Sequence, residues 1–136
     1  MNDPRGSLTA AQYEIMQVIW QAGADGVSVA DVWQSIADQR TITRTTVLNQ
    51  VDRLEKRGWL QRTRTEGATR FRATLSKEEA SKQLVSDFVA DYFQGSTVEL
   101  VSALLGEDGA GLTKKEVERL RKLVDQARRR QSEGQS

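Results

Sequence analysis

Residues 42–72 have the sequence ITRTTVLNQVDRLEKRGWLQRTRTEGATRFR, which predicts a helix followed directly by a two-stranded hairpin. Thr43 is suited to cap the start of this helix, and a glycine is suited to end it. Four residues recur at the spacing of one helix face and predict a buried stripe: Val47, Val51, Leu54 and Gly58. The predicted helix covers residues 43–58.

The opposite face of this helix is polar. If the apolar stripe points into a core, a rotation of about 100° per residue turns five side chains outward, with Thr46 and Leu48 on the flanks: Thr45, Asn49, Asp52, Arg53 and Lys56. A helix that enters the major groove of DNA needs such a face, because its first turns reach base edges and its later cations reach phosphates. The partner of Asp52 stays open between Lys56, Arg53 and a cytosine amine.

The predicted hairpin has strands at 59–65 and 69–74 and a turn at 66–68. Arginine occupies alternate positions in both strands: Arg62, Arg64, Arg70 and Arg72. Since alternate residues of a strand share a face, we expect each pair of arginines on one face, with Leu60, or Phe71 and Ala73, turned the other way. An isolated hairpin of this kind is more often a solvated ribbon, but its position after a recognition-type helix favours contact with DNA.

The composition argues against an enzyme. The chain has 136 residues, of which 38% are hydrophobic, and it contains neither cysteine nor histidine. It therefore lacks a thiol nucleophile, a disulfide framework and the commonest metal ligands, so we expect no catalysis, no metal and no cofactor. The first residues, MNDPRGS, are polar, and no apolar run reaches the length of a membrane span. We expect a cytoplasmic protein without membrane insertion.

The basic charge is concentrated in the helix and hairpin. Residues 40–72 contain nine Arg or Lys against three acids, whereas residues 1–39 contain one against five and residues 73–136 ten against eleven. A single basic surface between mildly acidic flanks is the pattern expected of one DNA-facing side.

Capping patterns predict the other helix starts. Five pairs fit a serine or threonine followed three residues later by an acid or glutamine: Thr9 with Gln12, Ser28 with Asp31, Ser76 with Glu79, Ser96 with Glu99, and Thr113 with Glu116. Helices are predicted over 10–22 and 29–38, ahead of the helix at 43–58. Three helices and a two-stranded wing in this order predict a mainly α protein with a winged helix-turn-helix domain over residues 7–74.

Broad apolar stripes follow residue 76, in helices too short to bury them among themselves. We expect a helical dimerisation domain over 76–130, in which these helices interlock with a second copy, and a disordered tail at 131–136. The alternative, in which the helices pack back on the winged domain, stays open. The residues expected at the dimer interface are Phe88, Tyr92, Phe93, Val101, Leu104, Leu105, Leu120 and Val124.

Four segments of the chain resemble the penicillinase-repressor family, the BlaI/MecI/CopY transcriptional regulators. They are LTAAQYEIMQVIW at 8–20, ITRTTVLNQVDRLEKRGWL at 42–60, YFQGSTVELVSALL at 92–105 and LTKKEVERLRKLV at 112–124. The resemblance extends over 8–128. It implies a homodimeric repressor that binds a palindromic operator in double-stranded DNA through the amino-terminal domain. The DNA-binding residues that it implies, by position, are Thr43, Arg44, Thr45, Thr46, Asn49, Arg53, Arg62, Arg64, Arg70 and Arg72. We assign base contacts to Thr45, Thr46 and Asn49, and phosphate contacts to the arginines.

Two departures bear on the inducing signal. In the antibiotic-responsive branch, a sensor-protease or a protease that it triggers cuts the repressor at an Asn-Phe bond, which corresponds here to the bond between Ser96 and Thr97, the candidate proteolytic site. The side chains differ, so the signal is unassigned, with proteolysis as one route. The copper-responsive branch uses paired cysteines, and their absence excludes thiolate copper sensing.

Two other functions stay open at this stage. One is a winged-helix module that binds protein through the same hairpin without sequence-specific DNA binding. The other is a ligand-sensing regulator with a pocket near Trp33, Tyr92 and Phe93, although aromatic residues at helical spacing more often form plain core.

Overall fold

Three helices and a hairpin, followed by three further helices, make up the computed structural model, which describes residue 4, residues 6–106 and residues 111–134. The elements in chain order are α1 (Ala10–Ala22), a 3-10 turn (Gly23–Asp25), α2 (Val29–Ala37), α3 (Arg44–Lys56), β1 (Leu60–Thr65), β2 (Ala68–Ala73), α4 (Lys77–Tyr92), α5 (Thr97–Leu105) and α6 (Lys114–Gly134). The predicted order of helices and strands is confirmed, with differences of one to two residues at the element ends.

Side-chain caps start the helices at the predicted places. Thr9 and Ser76 form complete capping boxes with Gln12 and Glu79, in which each side chain bonds the other residue's backbone N–H. Thr113 forms the same reciprocal pair of bonds with Glu116. Ser28, Thr43 and Ser96 accept a bond from the third backbone N–H of their helices. Each such cap contributes about 1 kcal/mol to helix stability.

The first three helices and the base of the hairpin enclose one apolar core. Three of the four residues in the predicted stripe, Val47, Val51 and Leu54, are at most 1% exposed, whereas Gly58 lies beyond the end of α3 and is half-buried. The other buried apolar residues of this core are Ile15, Met16, Ile19, Val27, Val32, Ile36, Trp59, Leu60, Phe71 and Ala80. Burial of α3 along this stripe fixes which of its faces is left to solvent.

The hairpin is antiparallel, and its register corrects one expectation about the wing. Leu60 pairs with Ala73, Arg62 with Phe71, and Thr63 with Arg70. Leu60 therefore lies on the same face as Arg62 and Arg64, and the expectation that it turns away from them was wrong, because residues 60, 62 and 64 differ by even numbers. The expectation for β2 holds, since Phe71 and Ala73 face away from Arg70 and Arg72. The four arginines thus divide between the two faces of the hairpin.

Two features hold the hairpin to the core: a bridge between Val27 and β2, and the corner between α3 and β1. Val27 forms an isolated antiparallel bridge with Phe71, which places β2 between Val27 and β1. At the corner, Gly58 has φ 85°, and Thr74 Oγ1 donates to Gly58 O at 2.7 Å. A residue with φ in this range is rarely anything but glycine, which explains why Gly58 ends α3 so abruptly.

By its internal contacts the chain divides into two units, residues 1–95 and 96–136. Helix α4 belongs to the first, where Ala80 is fully buried and Leu84 packs against the core. In the second unit, α5 and α6 leave large apolar side chains exposed: Val98, Val101, Leu104, Val117, Leu120, Leu123 and Val124. The functional division at 74–76 into a DNA-binding and a dimerisation domain stays a prediction.

Helix α6 continues through Gly134 and so includes positions 131–134, where the sequence predicts a disordered tail; positions 135–136 lie outside the described residues. The residues after Arg128 are mostly Arg, Gln and Glu, which favour helix.

Within the described ranges, no helix combines the length and the apolar character that a membrane crossing requires.

Candidate nucleic-acid interface

The exposed start of α3 presents short hydroxyl and amide side chains. Thr43, Thr45, Thr46 and Asn49 are all exposed. The hydroxyls of Thr43 and Thr46 lie 2.8 Å apart, and the backbone N–H of Thr46 donates to Thr43 Oγ1 at 3.1 Å. The first turn is therefore fixed by its own cap, while Thr45 and Asn49 point outward. These side chains can donate to and accept from base edges.

Arg44 occupies the flank of this surface. Its guanidinium carbon lies 5.8 Å from the centre of the Trp33 ring, a cation–π distance. The indole Nε1 of Trp33 donates to Ile42 O at 2.8 Å and ties α2 to the start of α3. Trp33 is thus a structural residue of the turn between the two helices, and it orients Arg44.

Further along α3, the structure selects one of the open partners of Asp52. Its carboxylate lies 3.1 Å from Lys56 Nζ, one turn later on the helix surface. Arg53 is exposed and forms no side-chain hydrogen bond or ion pair with any described residue. The charge of Lys56 is therefore partly balanced by Asp52, whereas the guanidinium of Arg53 is not balanced by a carboxylate of any described residue.

A buried polar contact holds the back of α3, and the sequence analysis did not identify it. Gln12 is 6% exposed. Its Nε2 donates to Gln50 Oε1 at 3.0 Å, and its Oε1 accepts from Arg57 Nη1 at 3.1 Å. Arg57 also donates to Ser7 O. In the sequence, Arg57 is one of several basic charges and Gln12 is part of a helix cap, although a glutamine on the apolar face of α1 is a signal of a buried polar role.

On the wing, Arg62 is paired within the protein. Its Nε and Nη2 donate to the two carboxylate oxygens of Glu55 at 3.1 and 2.9 Å. The guanidinium also lies 5.2 Å from the centre of the Phe71 ring, directly across the hairpin. This bidentate pair joins β1 to the last turns of α3.

The other wing arginines have different surroundings on the two faces. Arg64 lies on the face of Arg62 and forms no hydrogen bond or ion pair with any described residue. On the opposite face, Arg72 donates to Gln61 Oε1 at 3.1 Å, and Arg70 lies within 3.5 Å of Gly26 O. A cleft of about 560 Å³ on this second face includes Asp25 among its lining residues. Arg62 and Arg64 therefore lie on the face of the hairpin from which Arg62 contacts α3. Arg70 and Arg72 lie on the opposite face, beside the 3-10 turn.

The wing ends in a tight turn. Glu66 and Gly67 have φ values of 53° and 78°, as in the two-residue turns that match the twist of antiparallel strands. Both residues of this tip are exposed.

An apolar cleft of about 420 Å³ lies between Trp20 and the β2–α4 connection. Trp20 Nε1 donates to Leu75 O at 3.0 Å on its wall. None of Trp33, Tyr92 and Phe93, around which a ligand pocket was considered, lines it.

Comparison with known proteins gives the relatives of this fold. The family model described as penicillinase repressor matches residues 8–126, which confirms the resemblance of the four sequence segments. The apo form of wild-type MarR from E. coli aligns with a TM-score of 0.50 and 19% identity over 88% of this chain and 77% of that chain. A MarR family protein from Bacillus stearothermophilus aligns with a TM-score of 0.48 and 16% identity over 92% and 76%. No curated protein sequence matches the chain.

Proposed function

Because the chain belongs to the penicillinase repressor family, we propose that it is a homodimeric transcriptional repressor that binds a palindromic operator. The recognition helix, residues 43–58, enters the major groove, and the wing, residues 59–74, contacts the neighbouring backbone. The observation that carries this proposal is the outward face of α3, which is polar at its start and lies beside the hairpin. Neither Arg53 further along this face nor Arg64 on the hairpin is paired with any of the described residues.

The proposed roles follow the chemistry of the exposed groups. Thr45, Thr46 and Asn49 contact base edges, because their side chains are exposed on the first two turns of α3. Thr43 caps the helix and lies where a phosphate meets its N-terminus. The proposed phosphate contacts are Arg44, Arg53, Arg64, Arg70 and Arg72.

Dimerisation is proposed through the apolar faces that the single chain leaves in solvent. Tyr92 and Val124 are 72% and 67% exposed, and Leu104 is 68% exposed. The Phe88 ring packs at a tilt against Tyr92 and Phe93, at ring-centre distances of 5.0 and 5.8 Å, so the end of α4 presents an aromatic surface. Exposed apolar surface of this extent supports an interface, and the remaining proposed members are Val101, Leu105 and Leu120.

If repression is lifted by proteolysis, the proposed cut lies between Ser96 and Thr97. Ser96 caps α5 by accepting from the backbone N–H of Glu99 at 3.1 Å, and Thr97 is exposed. Cleavage there would separate the cap from the helix and so weaken α5.

The proposal is tested by titrating labelled DNA from just upstream of the gene with the purified protein, at several salt concentrations, beside a scrambled fragment. Fluorescence anisotropy should show steeply salt-dependent binding, with a preference of at least about a thousandfold for the native fragment. Equal, weak binding to both fragments would contradict a specific repressor, and would favour a module that binds protein.

A further inference from the structure

Arg62 is one of the arginines that the family resemblance assigns to DNA, but it forms a bidentate contact with a carboxylate of the protein itself, that of Glu55. Both oxygens of Glu55 are used, by two different nitrogens of Arg62 at 3.1 and 2.9 Å. Bidentate pairs of this kind are stronger and more directional than single ion pairs. The side chain of Glu55 is 26% exposed and that of Arg62 is 51% exposed, so the pair lies at the margin of the protein and not in its core.

This contact joins the two elements that the proposed function places on DNA, the recognition helix and the wing. Glu55 lies in the last turn of α3, and Arg62 lies on β1, beyond the corner at Gly58. The Phe71 ring supports the guanidinium from across the hairpin at 5.2 Å, and Phe71 itself is 3% exposed. Arg62 is therefore held from two sides, by a carboxylate on the recognition helix and by a core aromatic residue.

A DNA phosphate would have to displace Glu55 to bind Arg62 in the same bidentate way. The nearby carboxylate also balances the charge that a phosphate would meet. Arg64 lies two residues closer to the wing tip on the same face, and no described residue pairs with its side chain. The two arginines share strand, face and residue type, and differ in whether a partner within the protein holds them.

We propose that Arg62 is a positioning residue, which acts on DNA through Glu55 by fixing the angle between wing and recognition helix, and that Arg64 makes the phosphate contact on this face. This inference rests on the proposed function for its effect on DNA. The contact between Arg62 and Glu55 can be tested without DNA.

The experiment compares Arg62→Ala and Glu55→Gln with the matched control Arg64→Ala, in the full-length protein. Hydrogen exchange of the β1 and β2 amides is measured first on the free protein. Loss of the pair should raise these exchange rates about two- to fivefold in Arg62→Ala and Glu55→Gln, the range of a half-exposed ion pair, and leave them unchanged in Arg64→Ala. Circular dichroism melts confirm that each variant is folded.

Operator binding is then measured against salt concentration. A positioning role predicts that Arg62→Ala and Glu55→Gln both weaken operator binding about two- to fivefold with the salt slope unchanged, whereas Arg64→Ala flattens the slope by about one unit. The proposal is overturned if Arg62→Ala flattens the slope by about one unit with unchanged exchange, or if Glu55→Gln binds as tightly as the wild type or more tightly. If the wild type shows no operator preference, the proposed function fails, while the exchange rates still decide whether the pair holds the wing.

Discussion

Gln12 Nε2 donates to Gln50 Oε1 at 3.0 Å across the interface between α1 and α3. The same side chain accepts, through Oε1, from the backbone N–H of Thr9 at 3.1 Å and from Arg57 Nη1 at 3.1 Å. One buried amide thus completes the capping box of α1 and holds the middle and the end of α3. The position of α3 depends on a polar contact as well as on its apolar stripe.

We expect Gln12→Leu to lower the free energy of unfolding by about 1–3 kcal/mol, because it removes the amide partner of Gln50 and Arg57 inside a water-poor site. Urea denaturation followed by tryptophan fluorescence measures this change. The matched control is Gln34→Ala, whose side chain is exposed on α2 and should change stability by no more than about 0.5 kcal/mol. Equal effects of the two substitutions would show that the buried contact contributes no more to the free energy of unfolding than an exposed side chain does.

Arg53→Ala and Asn49→Ala should separate affinity from sequence preference. The guanidinium of Arg53, beyond the first turns of α3, has no partner among the described residues, so the loss of Arg53 should weaken binding to all DNA and flatten the salt slope by about one unit. Asn49→Ala should keep the salt slope and lose about 1–3 kcal/mol of discrimination at one base position. Anisotropy titrations with operator and single-base variants measure both, and each variant is the control of the other. The assignment fails if Asn49→Ala discriminates between bases as well as the wild type.

Val124→Glu should dissociate the proposed dimer. Val124 is 67% exposed within one chain, and a carboxylate placed at a buried interface costs several kcal/mol unless it is paired. Sedimentation velocity over a range of concentrations should show a dimer for the wild type and a monomer for the variant. Lys122→Glu adds the same side chain about 200° around the helix and should leave the dimer intact. If both variants stay dimeric, α6 does not form the interface at Val124.

The capping box of α4 gives a pH dependence. The backbone N–H of Ser76, and then its hydroxyl, lower the pKa of Glu79 from its ordinary value of 4.5. A carboxylate with a lowered folded-state pKa stabilises the protein above its unfolded pKa, and this contribution is lost as the pH falls through the folded value. Urea unfolding between about pH 3 and 6 should therefore show a shallower loss of stability for Glu79→Gln than for the wild type.

Glu78→Gln is the control for this pH series, because it removes a neighbouring carboxylate in the same turn. Its pH profile should follow that of the wild type more closely than the profile of Glu79→Gln does. Identical profiles for the two variants would mean that the capping bond does not couple to protonation.

Local patterns in the sequence were sufficient to predict the helices and strands between residues 10 and 73. The helix over 10–22 has the predicted bounds, and α3 and the hairpin differ from prediction by one to two residues. Caps and apolar periodicity act over three to seven residues, so they can be recognised without knowing what packs where. The outward face of α3 followed from the same periodicity, because Val47, Val51 and Leu54 fix its orientation.

Contacts between elements could not be predicted in the same way. Nothing in the spacing of Glu55 and Arg62 shows that a corner at Gly58 brings them within 2.9 Å. The choice of Lys56 as the partner of Asp52 also needed side-chain positions, since Arg53 was equally plausible by charge. Ala80 at the start of α4 is small and gave no periodic signal, although it is buried in the core of the first unit.

Strand β1 pairs with β2 within the described residues, and its outer backbone groups are left open on the other side. An open strand edge is a template for aggregation, which charged side chains on the edge oppose. Arg62 and Arg64 place two such charges on β1. Arg62 and Arg64 therefore oppose the pairing of two chains through the open edge of β1, and neutralising both at once should lower the solubility of the DNA-free protein.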